Sequence, residues 1–103
     1  MSVKVTVERT VIPGSQQEIA ALLRLLLSRA IQFPGFQSGE TVVGAFNPMT
    51  FLTVARFTSL TAWQEWERNP ERLSIVERIN AYLQRDPIVR LWSEDPDAPS
   101  AAA

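Results

Sequence analysis

Neither cysteine nor histidine occurs anywhere in the 103 residues. The first absence excludes disulfides, thiolate nucleophiles and iron–sulfur ligation, and the second excludes histidine general bases and histidine-ligated zinc. Any chemistry must come from carboxylates, arginine, the few asparagines, Tyr82, the tryptophans, Ser/Thr hydroxyls or a bound organic molecule. No nucleophile–base pair, glycine-rich phosphate loop or metal-ligand spacing is present either, so neither a metal nor a cofactor is expected. Charge of one sign is equally scarce: ten basic residues face eleven acidic ones without clustering. That balance argues against nucleic acid and membrane-surface partners. No window approaches the roughly 20 apolar residues of a membrane span. The opening MSVKVTVERT alternates polar and apolar residues where a secretion signal would place a basic stretch before an apolar run. A cytoplasmic location is expected. The length suits one domain with one modest core.

The residues that are present order themselves by period. Val3, Val5 and Val7 alternate with Lys4, Thr6 and Glu8, the signature of a strand with one buried face, and Val11-Ile12 carry it to a stop at Pro13-Gly14. Ser15 stands three before Glu18, a capping-box spacing, and Ile19, Leu22, Leu23, Leu26, Ala30 and Ile31 follow at helical spacing, predicting a helix over about 15–32. Leu25 and Leu27 widen its apolar stripe, so this helix should touch more than the sheet beneath it. Pro34-Gly35 ends it. Segments 36–46 and 49–58 read as two strands of an antiparallel hairpin around Asn47-Pro48. In the second, Phe51, Thr53, Ala55 and Phe57 face one way and Leu52, Val54 and Arg56 the other, leaving no clean polar face.

Ser59 is a plausible N-cap, and Asn69-Pro70 is a cap-plus-N1 signal that restarts the second helix at a new angle. Leu73, Val76, Ile79, Asn80 and Leu83 form its expected stripe. Asp86-Pro87 ends it before a short last strand, 88–92. Residues 94–103 hold no large apolar side chain and are expected to be a flexible tail to a domain of residues 1–93. The order β, α, β, β, α, β is that of a ferredoxin-like α+β fold, a four-stranded antiparallel sheet with both helices on one face. The two-sided hydrophobicity of the middle strands then predicts a homodimer in which two sheets meet face to face as a dimeric α+β barrel.

The runs VKVTVERTVIPGSQQEIAALLRLLL, PGFQSGETV and FLTVARFTSLTAWQEWERNPER resemble the antibiotic biosynthesis monooxygenase family, within the dimeric α+β barrel superfamily. The resemblance spans about residues 3–92, and its most specific part is the strand leading into Phe57-Thr58-Ser59 and Ala62-Trp63. It implies a homodimer with a pocket in each subunit between sheet and helices. Members include cofactor-independent oxygenases acting on quinol-like or polyketide aromatics, haem-degrading enzymes, and proteins without assigned activity. Against the haem-degrading branch, Trp66 matches the tryptophan, but about Glu8 stands in place of an asparagine and Val76 in place of the histidine. Against the quinol-oxidising branch both histidine positions are lost, to Trp66 and to Asn69-Pro70-Glu71, and Phe57 replaces the tryptophan that ends the third strand.

Candidate site residues follow from residue type and place. Trp66 and Trp63 lie three apart and can flank a flat ligand, although core or interface anchoring is the more ordinary role of such side chains. Arg56 and Glu8 are charges within strands, and either could contact substrate or point to solvent. Arg72 and Asn80 could supply polar contacts from the second helix, Asn80 being the polar member of its stripe. Tyr82 is a further polar side chain there. Trp92 reads as an interface residue. The expected activity is a cofactor-independent monooxygenation of a small aromatic. An electron-rich phenol, once deprotonated, hands an electron to oxygen itself, so the protein need only bind it, favour its anion and exclude water. In that scheme Trp66, Arg56 and Asn80 do the chemistry, and Trp63, Arg72, Glu8 and Phe57 bind the substrate. The alternative is a non-catalytic dimeric barrel that binds a small hydrophobic metabolite or acts as an interaction module.

Overall fold

The computed structural model describes residues 2–94. Strand β1, Val3–Thr10, is followed by helix α1, Gln16–Ala30. Strands β2, Phe36–Val43, and β3, Thr50–Phe57, form the hairpin. Helices α2, Leu60–Glu67, and α3, Pro70–Asn80, precede strand β4, Ile88–Ser93. All three strand pairings are antiparallel and the sheet order is β2-β3-β1-β4, the ferredoxin-like α+β arrangement. The alternation in β1 is realised without exception: Val3, Val5, Val7 and Arg9 are buried under the helices while Lys4, Thr6, Glu8 and Thr10 lie on the other face. Among the described residues, no helix is long and apolar enough to cross a membrane.

Local chemistry explains the breaks between elements. The Ser59 side chain accepts a hydrogen bond from the Ala62 amide at 3.1 Å, and the Asn69 side chain accepts from Glu71 and Arg72, with Pro70 opening α3. The second helix is thus broken, as its two cap signals predict. Gly35 is required between α1 and β2. Its φ of +94° suits glycine, and an added Cβ would stand 2.6 Å from that of Ala62. The capping box predicted at Ser15 does not form. Ser15 has φ −101° and ψ 8°, away from the extended geometry that turns a side chain back onto the helix, and the Gln16 amide oxygen accepts from the Gly14 N–H instead.

Two further expectations are corrected. The buried stripe of α3 is Arg72, Ile75 and Ile79, with Val76 half-buried, while Leu73 and Asn80 are exposed. The stripe is rotated because α3 restarts at Pro70 and meets α1 with the Ile75–Ile79 edge, which the pattern of large residues alone does not reveal. The chain also stays engaged at Glu94, expected to begin the flexible tail: its N–H donates to the Ser2 carbonyl at 2.9 Å and its carboxylate meets Arg56. The rest of that predicted tail, 95–103, lies outside the described residues.

The core divides in two. Val3, Val5, Val7 and Phe57 of the sheet meet Ala30 of α1 and Ala62, Trp63 and Trp66 of α2 in one cluster. Val11 and Phe51 meet Ile19, Leu22 and Leu23 of α1 and Ile75 and Ile79 of α3 in the other. Leu25, on the wide apolar face of α1, packs on this second cluster. The helices do not reach β4, whose Val89 and Leu91 remain exposed on the helix side. On the opposite sheet face Val42, Ile88 and Trp92 are exposed, alternating with charged residues.

Candidate functional site

The two core clusters do not close on each other. Between them, under α1 and on the helix-covered face of the sheet, lies a cavity of about 340 Å³. Its size falls in the range of small-molecule sites, and its walls are mostly hydrocarbon, as such sites usually are. Val5, Val7, Thr53 and Ala55 form the floor, Leu23, Leu26 and Leu27 of α1 the roof, and Phe57, Trp63 and Trp66 one end. Leu27 therefore has the second task that its place on the wide α1 stripe suggests. Arg24 and Glu40 stand exposed on α1 and β2, where these elements border the space.

The aromatic end is rigidly packed. Phe57 meets Trp63 edge to face with centroids 5.4 Å apart, and Phe36 meets Phe57 likewise at 5.6 Å. Trp66 is held by Phe33 at 5.3 Å. Such pairs fix ring orientation as well as burying area. Both tryptophans are buried and line the cavity as well as the core.

Three arginines line this mostly apolar space, Arg24 at its exposed border and Arg9 and Arg72 buried within it. Arg72, in the first turn of α3, is fixed by the Asn69 cap; its Nη1 donates to the Glu67 carbonyl at 2.9 Å, and its Cζ lies 5.2 Å from the centroid of the Trp63 ring. Burial pushes its pKa below the ordinary guanidinium range, partly offset by the Glu67 carboxylate. Arg9 is only 2% exposed. Its Nη1 donates to Thr53 Oγ at 3.0 Å, Thr53 in turn shares a hydrogen bond with Thr41, and its Nε is buried without a partner. Burial, and secondarily the like charge of Arg72, bring the Arg9 pKa down to about 10. At that value the Arg9 guanidinium is cationic at neutral pH. Among the described residues the salt bridges are Arg29–Glu71 and Arg56–Glu94, neither of which involves a cavity arginine.

The structure brings together Trp63, Trp66, Phe57 and Arg72 of the predicted site residues and leaves three elsewhere. Arg56 precedes Phe57 on β3 and so projects from the opposite face, where Nε and Nη2 hold the Glu94 carboxylate at 2.7 and 2.6 Å. Glu8 shares that outer face, beside Leu52 and Ile88. Asn80, exposed at the end of α3, and Tyr82 beyond it do not line the cavity. Trp92 projects on the outer face, its indole N–H donating to Thr6 Oγ at 3.0 Å. Arg9 was not among the predicted residues. Its signal is nevertheless present, because it occupies the buried phase of β1 between Val7 and Val11, where a charged side chain must have a reason to be. Among the described residues no group of three His, Cys, Asp or Glu could hold a metal ion.

Comparisons with known proteins agree with this architecture. SnoaB, a cofactor-independent oxygenase from Streptomyces nogalater, superposes with a TM-score of 0.83 at 16% identity, covering 95% of this chain and 97% of that one. A conserved protein from Methanosarcina mazei Go1 superposes with a TM-score of 0.88 at 14% identity over 92% and 94% of the two chains. An antibiotic biosynthesis monooxygenase of known structure gives 0.83 at 21% identity over 91% and 99%. At such identities these likenesses establish the fold alone. No curated protein matches the sequence. Residues 2–78, however, match the family profile for antibiotic biosynthesis monooxygenases. With most of its length covered by that match, the chain belongs to the antibiotic biosynthesis monooxygenase family.

Proposed function

We propose that this protein is a monooxygenase that oxidises a small quinol- or polyketide-like aromatic with dioxygen and no cofactor of its own. The observation that carries the proposal is the pairing, in one mostly apolar cavity, of an aromatic end with two buried guanidiniums that have no ion-pair partner among the described residues. A phenol bound there ionises more readily, because cations in a low-dielectric site favour its anion. The electron-rich anion passes one electron to dioxygen; the resulting radicals combine at carbon, and the peroxide loses water to leave a carbonyl. Dioxygen is the oxidant, one of its atoms enters the product and the other leaves as water. Trp63, Trp66 and Phe57 supply the apolar wall and exclude water. Arg72 stabilises the anion together with Arg9, which takes the part first considered for Arg56. The family and the SnoaB likeness support the reaction class.

A second reading is favoured by the scarcity of a proton acceptor. The chain lacks histidine, and Glu40, the acidic residue on the border of the cavity, pairs with Val54 and so carries its carboxylate on the outer sheet face. A barrel that binds an aromatic without turning it over would need no more than this. Oxygen uptake with a panel of anthrones and hydroquinones separates the two. Uptake above the no-protein rate that falls about tenfold or more in Trp66→Phe and Arg72→Gln supports the enzyme. Thermal stabilisation by the panel without uptake supports the binder.

We also propose a cytoplasmic homodimer joined through the outer sheet face. The exposed Val42, Ile88 and Trp92 there support it. Light scattering at micromolar concentration should return twice the chain mass, and a monomer would overturn the dimer.

A further inference from the structure

We infer that the occupant of the cavity is itself an anion: a one- or two-ring aromatic carrying a carboxylate that seats against Arg9, with Arg72 adding to the positive field. This rests on the proposed reading of the cavity as a site for a small aromatic and adds the charge that such a molecule must bear.

The cavity cations are not equally provided for. Arg72 has a backbone carbonyl and the face of Trp63, two partners that suit a guanidinium buried in a core. Arg9 has one neutral hydroxyl and nothing for Nε. A buried cation left uncompensated is costly, so a position that retains one beside a second cation points to an anion that arrives from outside.

The geometry of the vacant edge narrows the chemistry. With Nη1 committed to Thr53, Arg9 keeps Nη2 and Nε for the side-on edge that receives two oxygens of one planar group; Nε is closed over in the unliganded protein, so seating the second oxygen requires the guanidinium to swing toward the cavity. The same edge of Arg56 is filled within this chain, by the two oxygens of Glu94. Arg9 thus offers the hydrogen-bonding pattern that Arg56 uses on a carboxylate. The hydrocarbon walls and the aromatic end then suit the rest of the molecule.

The test uses salicylate, 1-hydroxy-2-naphthoate, 6-hydroxy-2-naphthoate and anthracene-9-carboxylate, each beside its methyl ester. Affinity is measured by calorimetry under nitrogen so that turnover cannot intervene. The expected result is that in at least one pair the acid binds about tenfold or more tightly than the ester. Arg9→Met should bring that acid to the level of its ester, and Arg9→Lys should restore part of the difference. Equal or ester-favouring binding in every pair, or no binding by any acid, overturns the inference. Should Arg9→Met fail to fold, the acid–ester contrast on the parent protein and Arg9→Lys decide it. An acid that binds preferentially but consumes no oxygen under air leaves the inference standing and sinks the oxygenase. Oxygen uptake by esters without acid preference does the reverse.

Discussion

Arg9 and Arg56 sit on adjacent strands of one sheet, project from opposite faces, and are treated in opposite ways. On the open face, Arg56 holds Glu94 through two hydrogen bonds, and each partner favours the charged form of the other: the pKa of Arg56 is raised and that of Glu94 lowered, in both cases chiefly by their hydrogen bonds. Under the helices, Arg9 has a hydroxyl, a second arginine nearby and a lowered pKa. The chain completes the pair where water already makes it cheap and leaves it incomplete where it is expensive. An exposed ion pair of this kind adds little to stability, whereas an unpaired buried cation weakens the fold unless a ligand supplies its partner. The helix-covered face is therefore the one proposed here for binding, and the open face the one proposed for assembly.

The comparison is most severely tested at the aromatic end of the covered face. Trp66→Ala should cost about 3–5 kcal/mol in chemical denaturation, because it opens the core cluster that walls the cavity; a loss under about 1 kcal/mol would mean that this wall is not part of the core. Next comes Arg9→Met, for which stability and binding should move in opposite directions. Removing the buried charge should stabilise the unliganded protein by about 1–2 kcal/mol. Thr53 keeps Thr41 as a partner, so no new unsatisfied group is created. A destabilised Arg9→Met would show that Arg9 serves the fold rather than a ligand.

Titration distinguishes the faces at opposite ends of the pH scale. Arg9 has a folded pKa of about 10, below its unfolded value, so between the two the unfolded chain holds more protons. Its penalty is fully present below about pH 10 and fades as pH rises further, so the melting-temperature advantage of Arg9→Met should shrink there. The Glu94 pKa is lowered by Arg56, which gives a contribution present above the ordinary carboxylate range and lost on acidification. The smallest effect is expected for Arg56→Met, a slight change in melting temperature near neutrality that vanishes in acid, with oxygen uptake unaltered. A large loss of uptake would move the working arginine back to the open face.

Much of this was legible beforehand because it depends on local rules. The strict alternation in β1 and β3 predicts which residues share a face, and Ser59, Asn69 and Pro70 predict the broken helix. The same alternation separates Arg56 from Phe57 and aligns Arg9 with the valines, so the exchange of one arginine for the other was readable in principle. It was obscured because a charged residue in a strand is ordinarily read as solvent-facing. Asn80 illustrates a different limit. A helical stripe of large residues fits two adjacent rotations of α3, and only packing against α1 selects the one that buries Ile75 and exposes Asn80.

Order and spacing along the chain thus determined the elements, the caps at Ser59 and Asn69, the absence of thiol and imidazole chemistry, and the family. Which side chains share the cavity was decided by the tertiary structure. Arg9 on β1 and Arg72 on α3 come to one space because the sheet register and the helix packing carry them there. Both are long-range arrangements set by the sum of many contacts, and no local spacing encodes that sum.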